Sequence, residues 1–67
     1  MTIEIKLIDS ERLFCSMQSS IVPQIGSSVT LYDRPDTIWK VQDVIYHLYP
    51  SSNEIVCEVL VSFCIPA

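Results

Sequence analysis

Trp39-Lys40-Val41-Gln42-Asp43-Val44-Ile45-Tyr46-His47-Leu48 decides the fold of this chain, because its side chains cannot all follow one alternation. In an extended strand, residues two apart share a face. Trp39 and Val41 have one parity, whereas Val44, Tyr46 and Leu48 have the other. All five reach one core only if a residue is inserted between the two sets, so the polar pair Gln42-Asp43 is predicted to be a β-bulge. A bulge bends and twists its strand, and a long bent strand lets a small sheet fold over its own apolar face.

The flanking segments carry the same period of two. From Thr2 to Asp9, Ile3, Ile5 and Leu7 alternate with Thr2, Glu4 and Lys6, the pattern of a half-buried strand. Asp9-Ser10-Glu11-Arg12 reads as a polar turn, after which Leu13, Cys15 and Met17 alternate with Arg12, Ser16 and Gln18. A helix over Ser10 to Met17, capped by Ser10, is the alternative. It is disfavoured by its shortness and by Phe14, Cys15 and Ser16, none a strong helix former.

Ile21-Val22-Pro23-Gln24-Ile25-Gly26 should carry the chain from one part of the sheet to another, Pro23 lacking a ladder donor and Gly26 permitting a positive φ. A short third strand is expected from Ser28 to Tyr32 with Val29 and Leu31 inward, closed by the turn Asp33-Arg34-Pro35-Asp36, and a fourth begins at Thr37. After the turn Pro50-Ser51-Ser52-Asn53, the last strand runs from Glu54 to Ile65. Ile55, Cys57, Val59, Val61, Phe63 and Ile65 are expected on one of its faces, and Val56, Leu60 and Cys64 beside Glu58 and Ser62 on the other.

The totals agree with an all-β reading. Val, Ile and Thr supply nineteen of 67 residues and alanine only one, a bias toward extended backbone. A chain of this length is one domain, residues 1–67, and is too short for a two-lobed enzyme with a cleft. Its folding balance is near zero unless a disulfide, a metal or a partner adds burial. Three cysteines, Cys15, Cys57 and Cys64, cannot all pair within one chain, and Met1-Thr2-Ile3-Glu4 does not read as a secretory signal, so a reducing cytoplasmic setting is expected. The uncharged run from Leu13 to Tyr32 holds five serines, two glutamines, Pro23 and Gly26 and does not read as a membrane helix. The net charge of −4 repels a polyphosphate, which disfavours nucleic acid as a partner.

Pro23-Gln24-Ile25-Gly26-Ser27-Ser28-Val29-Thr30-Leu31 followed by Trp39-Lys40-Val41-Gln42-Asp43-Val44 resembles the P-x-x-G-x-x-V-x-L and W-x-V-x-x-V pattern of small SH3-like barrels in uncharacterised bacterial and phage proteins. The resemblance covers about a third of the chain and implies a fold, not an activity. With the strand pattern, it leads to the expectation of a small, five-stranded, strongly bent antiparallel SH3-like barrel in meander order. KOW-type and Sm-like barrels that bind RNA share only the topology.

Few residues point to chemistry. Cys15, Cys57, Cys64 and His47 have the composition of a zinc site, but no two lie at ligand spacing, and cysteines among apolar neighbours usually act as small hydrophobes. No third residue orients His47 as a base, and no oxyanion loop is evident. Asp33 and Asp36 read as turn formers, Glu54 and Glu58 as strand surface, and His47 as a solvated polar residue. The expectation is therefore no enzyme, cofactor or metal.

Trp39, Tyr46 and Phe63 are expected to fill the core, leaving Phe14, Tyr32 and Tyr49 toward the surface. Ile8, Phe14, Val56, Leu60 and Cys64 form an apolar excess on the nominal outer face. Phe14, Tyr32, Tyr49, Val56 and Leu60 are accordingly the candidate contact residues of a non-catalytic protein-interaction or assembly module that self-associates. A weak nucleic-acid-binding barrel is the alternative, and it needs Lys6, Arg12, Arg34 and Lys40 to cluster beside stacking aromatics.

Overall fold

Alternation and turn chemistry produce five strands in the computed structural model, which describes residues 1–10, 12–31 and 34–66, without the side chains of 34, 35, 65 and 66. These are β1 (Thr2–Leu7), β2 (Leu13–Gln18), β3 (Ser28–Leu31), β4 (Arg34–Tyr49) and β5 (Glu54–Pro66). Ser10 to Met17 is a turn and a strand rather than a helix where described, and β4 starts at Arg34 rather than Thr37. Glu11, Tyr32 and Asp33, to which turns and a strand end were assigned, lie outside the described residues.

The bulge forms where the parity conflict demanded it. Val41 registers with Val61 and Asp43 with Leu60, leaving Gln42 as the inserted residue. Gln42 turns outward and donates from Nε2 to Ser62 Oγ at 2.7 Å. Beyond it Val44, Tyr46 and Leu48 register with Val59, Cys57 and Ile55, on the same face as Val41. Gly26 also acts as expected: with φ at 89° it follows Ile25 in a turn closed by the Ser27 N–H donating to the Gln24 carbonyl at 3.1 Å. Asn53 takes a φ of 55° in the β4–β5 turn, a conformation asparagine tolerates.

The strand order corrects the expected meander. It is β2-β1-β5-β4-β3, with β1 and β5 parallel and the other three pairs antiparallel. The physical reason is the crossing at residues 19–27. It carries the chain from one edge strand, β2, to the other, β3, so these two do not pair, and β5 fills the place between β1 and β4. The result is an all-β, strongly curled half-barrel, a mixed sheet rather than a closed antiparallel one.

The curl is visible in one contact. In a flat sheet β2 and β4 would stand about 14 Å apart, three strand spacings. Yet the rings of Phe14 on β2 and Trp39 on β4 have centroids 4.9 Å apart, so they meet across a concave face. Phe63 stands nearly perpendicular to the indole, with ring centroids 5.8 Å apart. Behind this cluster Ile3, Val41, Cys57, Val59 and Val61 are almost wholly buried. Among the described residues the Trp39 Nε1–H has no acceptor, so the indole contributes through packing.

Two of the three expected core aromatics stay exposed. Trp39 is buried, but Tyr46 is 53% and Phe63 56% exposed, although both have the concave parity. Parity places a side chain on a face. Burial also requires neighbouring strands of sufficient length: β3 follows β4 only between Arg34 and Lys40, which leaves Tyr46 beyond it, and β1 pairs with β5 only from Val56 to Val61, which leaves Phe63 beyond it.

Candidate interaction surface

The convex face collects residues of β1, β5 and β4 whose parity turns them from the core. Lys6 is central to it. Its Nζ donates to Glu58 Oε2 at 2.8 Å and lies 3.7 Å from Glu4 Oε1, while His47 Nε2 approaches the same Glu58 oxygen at 3.7 Å. The hydrogen bond from Lys6 holds the Glu58 carboxyl below its usual range against the opposing effect of burial, and the nearby Lys6 and His47 charges add to the lowering. His47 is thus placed against a carboxylate rather than simply solvated.

Tyr49 is half-exposed near the β4–β5 turn, and Val56 is half-buried between Thr2 and His47 in the register. Leu60 also has convex parity, yet it is only 9% exposed. It registers with Lys6 on one side and Asp43 on the other, and the Lys6 stem lies along this face to reach Glu58, so Leu60 offers little surface for contact. Phe14 departs further from its expected outward position. Ile5 registers with Cys15 and Lys6 with Leu13, so Phe14 is the extra residue of a second bulge, which turns its ring onto Trp39. Tyr32 lies outside the described residues. Of the four described candidates, the structure brings Tyr49 and Val56 to one partly open face.

Cys57 is buried and burial pushes its thiol up, away from the reactive thiolate, whereas Cys64 is exposed and is the extra residue of a bulge in β5 between Phe63 and Ile65. Among the described residues no three His, Cys, Asp or Glu side chains form a group suited to a metal ion, and no helix is long and apolar enough to cross a membrane.

One exposed apolar area includes residues that parity alone assigned to the core. β4 continues past its pairing with β3, which ends at Lys40, and the tip of the β4–β5 hairpin, with Leu48, Tyr49, Glu54 and Ile55, also lies past the end of β1 at Val56. Tyr46, Leu48 and Ile55 lie on the concave side of the hairpin and Ile45 and Tyr49 on its convex side, all exposed, Leu48 by 65%, and Tyr46 lines an open pocket with Val44 and with Val22, Pro23, Gln24 and Ile25 of the crossing. A separate cavity of about 180 Å³ lies inside the curl between the two sheet edges, lined by Ile5, Met17, Ile21, Pro23, Val29 and Leu31 among others. The greater length of the last two apolar segments is a signal of this exposure that becomes legible only with the strand order. Comparison of the chain with protein-family models, curated proteins and solved structures gives no match.

Proposed function

We propose that this chain is a non-catalytic protein-interaction module, a small acidic all-β domain that self-associates and offers apolar sheet surface and unpaired strand edge to protein chains. One observation carries the reading: past the end of β3 the β4–β5 hairpin leaves Ile45, Tyr46, Leu48, Tyr49 and Ile55 exposed on both sides of the same two strands. An apolar surface of this kind on a domain of 67 residues is a contact site waiting for burial.

The side chains nearest to chemistry face elsewhere, His47 toward Glu58 and Cys57 into the core. Of the cations that nucleic-acid binding would use, Lys6 is held by two carboxylates. Kinship with small SH3-like barrels belongs to the same proposal. The Gln42 bulge and the glycine turn leading into β3 support it, and the parallel β1–β5 pair is its main departure.

Panning a phage-displayed library of extended peptides on the immobilised chain tests the reading. Apolar, β-branched binders are expected, weakened about tenfold or more by Leu48→Lys, which corresponds to about 1.4 kcal/mol. A library that returns no binder, together with filter retention of single-stranded RNA that falls steeply with salt, would replace it with nucleic-acid binding.

A further inference from the structure

Resting on that proposed role, we infer that the partner is a second copy of this chain, joined antiparallel along the free edge of β4 between Ile45 and Tyr49. The edge is free because β3 pairs with β4 only as far as Lys40, and the backbone of Gly26 and Ser27 extends the pairing only to Val41. Asp43 Oδ1 accepts the Val44 N–H at 2.9 Å, which occupies that donor. From Ile45 onward, alternate residues direct N–H and C=O away from β5, as an antiparallel strand must, and among the described residues no other strand meets them.

Natural edges of this kind are blunted by lysine, proline, inward charge or a covering loop. Ile45-Tyr46-His47-Leu48-Tyr49 contains no lysine, proline or acid. Charge selects the occupant. The chain carries −4 overall, yet residues 44–53 contain no Asp, Glu, Lys or Arg, so two copies meet here with less charge to desolvate and less repulsion than across the acidic convex face.

Symmetry then fixes the register. A strand paired antiparallel with its own copy satisfies a two-fold axis. With that axis at His47, Tyr46 faces the partner's Leu48 on the concave side, and Ile45 faces the partner's Tyr49 on the convex side. Both are apolar or aromatic cross-strand pairs of the stabilising kind. The five exposed apolar side chains of this region, Ile55 of β5 among them, expose on the order of 500 Å², and the pairing buries the part of it that lies along β4, toward the roughly 800 Å² per partner of a standard interface.

Sedimentation equilibrium of the full chain at micromolar concentration tests the pairing. The wild type is expected at twice 7.6 kDa. Leu48→Lys, at a position already largely exposed, should keep the urea midpoint of the monomer while weakening the dimer about 100-fold or more. His47→Cys in a Cys64→Ser background should form an intermolecular disulfide on mild oxidation, because directly opposed residues of an antiparallel pair lie within disulfide reach. Asp36→Cys in the same background should not.

A dimer that survives Leu48→Lys and gives no cross-link through His47→Cys overturns the edge, while leaving self-association through another face. A wild type that stays monomeric at 100 µM overturns the inference altogether, and the peptide panning then decides separately whether the chain is an interaction module.

Discussion

Val59 and Leu48 are both branched aliphatic residues on the concave face of the β4–β5 pair, yet Val59 is 0% and Leu48 65% exposed. The difference lies in what flanks them. Val59 sits where β5 is paired on both sides, with β1 through Ile5 and with β4 through Val44, and where the sheet curls so that Phe14 meets Trp39 across it. Leu48 lies past the ends of β1 and β3, where the hairpin has two strands and nothing to curl around. One strand pair thus runs from an interior to a surface, and the division is made by the length of its neighbours rather than by its own residues.

The sharpest way to break this comparison is to empty each region in turn. Trp39→Ala removes the indole that Phe14 and Phe63 contact and should cost about 3–5 kcal/mol. A domain of this size has roughly 3–10 kcal/mol in total, so much of the chain should be unfolded in a urea titration. Leu48→Ala on the same face should cost the monomer less than about 0.5 kcal/mol. Similar losses at the two positions would erase the distinction.

Deleting Gln42 attacks the join between the regions. Without the inserted residue, either Val41 or Val44 must leave the concave face, and the expected loss is roughly 2–3 kcal/mol. A urea midpoint close to that of the wild type would mean that the bulge is incidental.

The smallest effect belongs to the convex charges. Because Lys6 holds the folded-state carboxyl of Glu58 below its ordinary value of 4.5, the associated stability is fully present above that pH and is lost as the pH falls through the lowered folded-state value. Solvent screening keeps it to no more than about 1 kcal/mol. Lys6→Met should flatten this part of the acid titration of stability. An unchanged slope would mean that the ion pair contributes nothing measurable.

What could be read beforehand follows from the same physics. The Gln42 bulge was legible because apolar residues of opposite parity stand on its two sides, and Gly26 because the crossing needs a positive φ. The bulges at Phe14 and Cys64 were not, since apolar residues occupy both parities around them and no conflict arises. The parallel β1–β5 pair was hidden for another reason: alternation assigns faces, not neighbours, and strands of either direction bury the same face. Tyr49 and Val56 could be placed on the convex face from parity. Tyr46 and Leu48 were assigned to the core by the same rule, because the early end of β3, and for Leu48 that of β1 as well, bears on them only once the strand order is known.

Amide hydrogen exchange along β4, followed residue by residue at low and high protein concentration, tests the central claim most directly. In dilute solution Trp39 and Val41 should be strongly protected, and the outward amides between Ile45 and Tyr49 should exchange quickly. At high concentration those same amides should slow while the rest of the strand is unchanged. Protection that is uniform from Trp39 to Tyr49 and independent of concentration would contradict both the division of the sheet and the free edge drawn from it.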